Sequence, residues 1–150
     1  MPSPIQILLK RSAHAGDLPL PKKMTAHSAG FDLVAAVSDS VTLQSLEIRL
    51  IPCGFHMAIP AGYEAQIRPR SGLAAKHGIT LVNAPGTIDA DYRGEVMVPM
   101  INLGKQPFTI DRGMRIAQML IAPVPDVQIV EVEDLDETAR GHGGFGHTGH

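Results

Sequence analysis

At 150 residues with 44% apolar content, the chain is long enough to bury a full core, and its formal net charge of −2 lacks the basic field that broad nucleic-acid binding needs. No window of about 18 apolar residues is present to cross a membrane as a helix, and the opening MPSPIQILLKR has no n-region followed by a long apolar run. Cys53 stands alone, which excludes an intrachain disulfide and fits a reducing, cytoplasmic compartment. The expectation is one soluble domain over residues 1–150.

The 15 glycines and 12 prolines are spread along the chain, punctuating it into many short elements as in an all-β protein. IQILL near the start reads as a strand. Leu46, Ile48 and Leu50 alternate as a half-buried strand should, and Phe55, Met57 and Ile59 do the same. SGLAAKHG is the one helix signal, with Ser71 as N-cap and Gly78 just past the end. EVMVPMINL and RIAQMLIAPV read as further strands, with Pro99 suggesting an edge or a bulge in the first. Val127 and Ile129 continue the alternation, and from about Glu137 the chain becomes a polar tail. The pattern predicts a β-barrel or sandwich with one helical turn or two.

Five stretches carry candidate chemistry. In GTIDADYRGEV (86–96), Asp89 and Asp91 sit two apart in what looks like a tight hairpin. Carboxylates there can orient a water or stand behind a hydrated magnesium ion, and a plain charged turn has the same composition. PRSGLA (69–74) combines the planar fork of Arg70, the hydroxyl of Ser71 and backbone N–H groups opening a helix at Ser71 and Gly72. An ordinary capped helix reads the same way. AGFDLVAA (29–36) places Asp32 in an apolar run, where a carboxylate needs a partner, and RIAQMLIA (115–122) offers Arg115 for a buried pair and Gln118 beside it. The closing RGHGGFGHTGH has five glycines, costly to order, yet Arg140 and Phe145 supply a charge and an aromatic face for a nucleotide. His142, His147 and His150 lie close together there, without the fourth ligand or rigid element of a zinc site.

In this order the five stretches resemble the five motifs of the trimeric dUTPases, over nearly the whole chain from about Ala29 to Thr148, with GTIDADYRG and RGxGGFG the most specific. The resemblance implies a β-clip, jelly-roll-like barrel with a flexible arm at about 137–150, assembled as a homotrimer with active sites at subunit interfaces. The implied reaction is hydrolysis of dUTP to dUMP and pyrophosphate, which supplies dUMP for thymidylate synthesis and keeps uracil out of DNA. Asp89 matches the general base, Tyr92 the residue under the deoxyribose, and Asn83 the uracil reader. Thr87, Ile88 and Met97 match the lining of the same pocket. Arg70, Ser71, Gly72 and Gln118 match phosphate contacts from another subunit, supported by Asp32 and Arg115. Arg140, Phe145 and Gly146 belong to the arm that meets the nucleotide. Mg2+ is implied on the triphosphate oxygens, with protein carboxylates acting through water.

The chain departs from the family at His147, where Ser or Thr usually follows FG; an imidazole can still donate to phosphate. A related fold serves dCTP deaminases, which carry a Glu in the strand after the acidic turn, where this chain has Pro99. A dUTP-sensing or protein-binding barrel without activity is the other alternative; the full set of motifs favours the hydrolase.

Overall fold

The computed structural model describes residues 3–149. Ten strands and one short helix follow one another: β1 (Leu8–Arg11), β2 (Phe31–Val34), β3 (Val41–Leu43), β4 (Ile48–Ala58), β5 (Tyr63–Pro69), α1 (Ser71–His77), β6 (Ile79–Leu81), β7 (Gly86–Ile88), β8 (Glu95–Asn102), β9 (Phe108–Ile110) and β10 (Arg115–Pro123), with a 3-10 turn at Ala13–Ala15. They form two open four-stranded sheets, β1-β4-β8-β6 and β2-β10-β5-β7, and a two-stranded ribbon, β3-β9. Every pairing between named strands is antiparallel. The mostly-β, jelly-roll-like architecture expected from the sequence is present.

One core lies between the sheets. Ile51, Phe55, Val96, Val98 and Met100 reach it from the first sheet, and Leu33, Ala65, Ile67, Ala117 and Met119 from the second. In β8 the alternation is strict, with Val96, Val98 and Met100 inward and Met97 left outside. Burial of this aliphatic set supplies the main stabilisation, at about 1.5–3 kcal/mol per large side chain.

Several local expectations are corrected. Of Leu46, Ile48 and Leu50, the last two do share a strand face, but it is the outer one: Ile48 is 51% and Leu50 58% exposed. A period of two fixes which residues go together and leaves open which set turns inward. In β4 the inward set is Ile51, Cys53, Phe55 and Met57, and Leu46 is not in a strand but in a turn with φ of 66°. IQILL pairs only from Leu8 onward, so β1 is shifted towards Arg11. Val127 and Ile129 lie in no strand and are exposed.

Pro99 is not in a bulge, and β8 is an interior strand, pairing with β4 on one side and β6 on the other, although the β6 ladder stops one residue short of Pro99. It stands opposite Leu50, and its carbonyl accepts from the Val82 N–H at 3.0 Å, just past the last β6 pair, Leu81 with Met100. A strand residue points its N–H and C=O to the same side, so the missing N–H falls where β6 has ended. Ser71 is not the N-cap of α1. Arg70 occupies that position with extended dihedrals and no side-chain capping bond, whereas Gly78 closes the helix in the left-handed conformation as anticipated. Asp89 and Asp91 are not in a hairpin. β7 pairs with β5 and β8 with β4, so the turn at Asp89–Tyr92 is a corner between the two sheets.

Candidate active site

That corner opens a cavity of about 360 Å³ at the end of β7 and the outer face of β8. Its volume suits a small ligand. Asn83, Thr87, Ile88, Asp89, Tyr92 and Met97 all line it, six of the residues singled out from the sequence. Asn83 comes from the turn between β6 and β7, where Gly86 makes room: a Cβ there would stand 3.3 Å from the Asn83 amide nitrogen. Asp89 follows β7 directly, is exposed, and accepts the Tyr92 N–H on its backbone carbonyl at 3.2 Å. The Tyr92 hydroxyl donates to the Glu95 carbonyl at 2.9 Å. Three further walls, Leu50, Val96 and Pro99, were not anticipated. None of the nine lining residues is Lys, Arg or His, so this cavity cannot by itself neutralise a polyphosphate.

The cationic and polar candidates lie elsewhere on the chain. Asp32 and Arg115 do meet, at 3.0 Å across β2 and β10, but the expected burial is corrected: the Arg115 side chain is 45% exposed, because its guanidinium reaches the carboxylate on the outer face of the sheet. Gln118 stands opposite Asp32 in the ladder and donates to the Pro69 carbonyl at 3.3 Å. Arg70 donates to the Arg115 carbonyl at 3.1 Å, which ties the entry of α1 to β10. Ser71 and Gly72 are exposed at the first two helical positions. Asp32 and Gln118 line a second hollow of about 350 Å³, which also takes in Ser28 and Arg68. Arg68 was missed; it donates to Gln66 at 2.9 Å.

None of the described residues of the glycine-rich segment is among those lining either hollow. Its backbone bonds are local, from Gly141 to Thr138, Gly143 to Arg140 and His147 to Gly144. Arg140 donates to the Gly143 carbonyl at 2.9 Å, and Phe145 is fully exposed with φ of 52°. Gly146 is in the left-handed region too, with φ of 82°. The His147 ring packs on Gly143, where any Cβ would collide with it. His150 lies outside the described residues.

A sequence profile of the dUTPase family matches residues 17–149. The chain belongs to the dUTPase family. The deoxyuridine 5'-triphosphate nucleotidohydrolase of Wolbachia pipientis subsp. Culex pipiens is 57% identical over 147 residues, covering 97% of this chain and 96% of the relative. That of Caldanaerobacter subterraneus subsp. tengcongensis is 57% identical over 145 residues, covering 97% and 98%. Among solved structures, the Staphylococcus bacteriophage 80alpha dUTPase with dUPNHPP superimposes with a TM-score of 0.81 at 25% identity, over 96% of this chain and 98% of that one. A variant dUTPase of phage phi11 of S. aureus, described with a structural Mg(II) ion, shares the fold with a TM-score of 0.76 at 22% identity, over 86% and 97%.

In this dUTPase two groups outside the cavity have shifted acidities. Burial, and then the nearby Glu95 carboxylate, push the Cys53 thiol up to about 12. The hydrogen bond from Arg112 holds the Asp17 carboxyl below its ordinary value. No helix of the described residues is long and apolar enough to cross a membrane.

Proposed function

We infer that this chain is a dUTP diphosphatase, hydrolysing dUTP to dUMP and pyrophosphate. The observation that carries the reading is the convergence of Asp89, Tyr92 and Asn83 on one cavity, in a chain of the dUTPase family. Asp89 orients the attacking water and takes its proton as the water oxygen bonds to the α-phosphorus. The bond from that phosphorus to the bridging oxygen breaks, and pyrophosphate leaves. Positioning of the water and charge stabilisation supply much of the rate. Asn83 and the backbone around it read uracil, with Thr87, Ile88 and Met97 beside it, and Tyr92 packs under the deoxyribose and leaves no room for a 2′-hydroxyl.

The cavity without a cation supports a shared site in a homotrimer: Arg70, Ser71, Gly72 and Gln118 of a neighbouring copy meet the phosphates, steadied by Asp32 and Arg115. The exposed apolar face of Ile48 and Leu50 is the kind of surface such an assembly covers. The arm, with Arg140, Phe145 and Gly146, closes over the nucleotide. Asp89 and Asp91 are exposed hard oxygen donors at the same corner and fit Mg2+ reached through water. Bound with the triphosphate, such an ion would supply charge neutralisation. We place the enzyme in the cytoplasm, where its free, buried Cys53 meets no oxidising demand, and read residues 1–150 as one dUTPase domain with its arm at about 137–150.

Incubation with dUTP and Mg2+ should release pyrophosphate and dUMP. Ammonia release from dCTP instead would assign the chain to the deaminases, and binding of dUTP without turnover would make it a sensing relative.

A further inference from the structure

Tyr92 is folded back on its own chain. Its hydroxyl donates to the Glu95 carbonyl at 2.9 Å, and its ring covers Gly94, where any Cβ would run into the ring. Glu95 begins β8 and is anchored by a distant segment. One of its carboxylate oxygens accepts from the Ser12 hydroxyl at 2.8 Å and lies 2.6 Å from His14 Nε2. Ser12 is buried, and its N–H donates to the Gly54 carbonyl at 2.9 Å. The His14 carbonyl accepts from Arg112 at 2.7 Å, and the same guanidinium holds Asp17 and donates to the Val37 carbonyl. On the other flank, His56 is paired with Glu95 in the ladder and hydrogen-bonds the Arg93 carbonyl at 2.9 Å. The backbone on either side of Gly94 is therefore held by β4 and by the 3-10 turn. None of Ser12, His14, Glu95 or Arg112 lines the nucleotide cavity.

We propose that Glu95 is a positioning residue for Tyr92, anchored by Ser12 and His14, and that it sets how strictly the enzyme prefers deoxyribose to ribose nucleotides. The proposal rests on the reading of Tyr92 given above. Steric exclusion of one hydroxyl works only when the excluding group cannot yield, because a small displacement opens the needed space. A ring whose hydroxyl is fixed to a strand end, itself fixed by a carboxylate with two partners, cannot yield easily. Charge-assisted bonds of this kind are the strong ones.

The test measures kcat/KM for dUTP and for UTP in full-length variants, with the thermal midpoint alongside. Glu95→Ala and Tyr92→Phe should each lower the dUTP-to-UTP ratio roughly tenfold, the scale of one lost support. The double variant should fall no further than the deeper single, because both remove one linked device. Glu95→Gln keeps an oxygen for the Ser12 hydroxyl and should hold most of the ratio. A lowered midpoint with an unchanged ratio in Glu95→Ala would overturn the proposal, leaving the carboxylate a purely structural tie. Tyr92→Ala separates the two layers. If it leaves the ratio intact, the sugar-gate reading fails and the proposal falls with it; if it collapses the ratio while Glu95→Ala does not, the gate stands and only the positioning role is lost. Should Glu95→Ala not fold, Ser12→Ala and His14→Ala take its place under the same criteria.

Discussion

Six of the nine residues lining the cavity beside Asp89 lie in strands, whereas the segment after Pro123 has no strand among its described residues. Around the cavity, each outward residue of β8 has an inward neighbour in the core: Met97 lies between Val96 and Val98, both buried. Along the last segment, Val127, Ile129 and Leu135 are exposed, and the backbone bonds from Thr138 onward span three residues each. The contrast separates two ways of making a binding surface. Core packing holds the strand walls of the cavity, so on the function proposed above recognition of base and sugar is preorganised. The described part of the last segment has only local backbone bonds to offset its ordering, and on the proposed function the nucleotide supplies the difference.

The sharpest way to separate the two regions is at Asp89. Asp89→Asn should keep the fold and bind dUTP while losing on the order of 10²–10⁴ in turnover. Single-turnover assays with a matched thermal melt would check this, and near-normal turnover would remove Asp89 from the base role. Next in size is loss of the arm. A chain ending at Ala139 should melt within a few degrees of the full chain yet lose roughly tenfold or more of its activity, since closure excludes water around the phosphates. An equally fast truncated enzyme would make the segment idle. Trypsin gives a second view, because a non-hydrolysable dUTP analogue with Mg2+ should slow cutting after Arg140.

The smallest effect concerns the turn behind Glu95. Arg112 holds the folded Asp17 carboxyl below its ordinary 3.8, so their pairing contributes stability above that value and loses it as pH falls through the lower folded one. In urea melts, the gap between the native chain and Asp17→Asn should be constant at about pH 5 and above, then shrink below 3.8. The gap should stay small throughout, because the pair is exposed to solvent and salt. A gap that widened on acidification would mean Asp17 is not stabilised as its charged form.

The cavity was legible through the resemblance to the dUTPase motifs, and most of its lining comes from one contiguous stretch, Asn83 to Met97; residue types and spacing alone left Asp89 and Asp91 indistinguishable from a charged turn. The Asp32–Arg115 pair was legible for another reason: a carboxylate in an apolar run needs a partner, and a cation stood in a second apolar run. Leu50 was hidden because strand register across β4 and β8 brings it to Pro99, and no local pattern encodes that register. Ser12 and His14 were hidden in the same way, lying more than eighty residues from Glu95 in the chain. The misassigned N-cap at Ser71 came from composition alone, since a serine near a helix start has the same spelling whether or not its hydroxyl caps.

Cys53 carries a consequence of a practical kind. It is the chain's single thiol, sealed in the core on β4 and held protonated, so an alkylating reagent reaches it only when the two sheets part. The native protein therefore contains its own unfolding clock. The rate of thiol modification, followed by mass, reports how often the whole core opens, with no added dye, label or substitution.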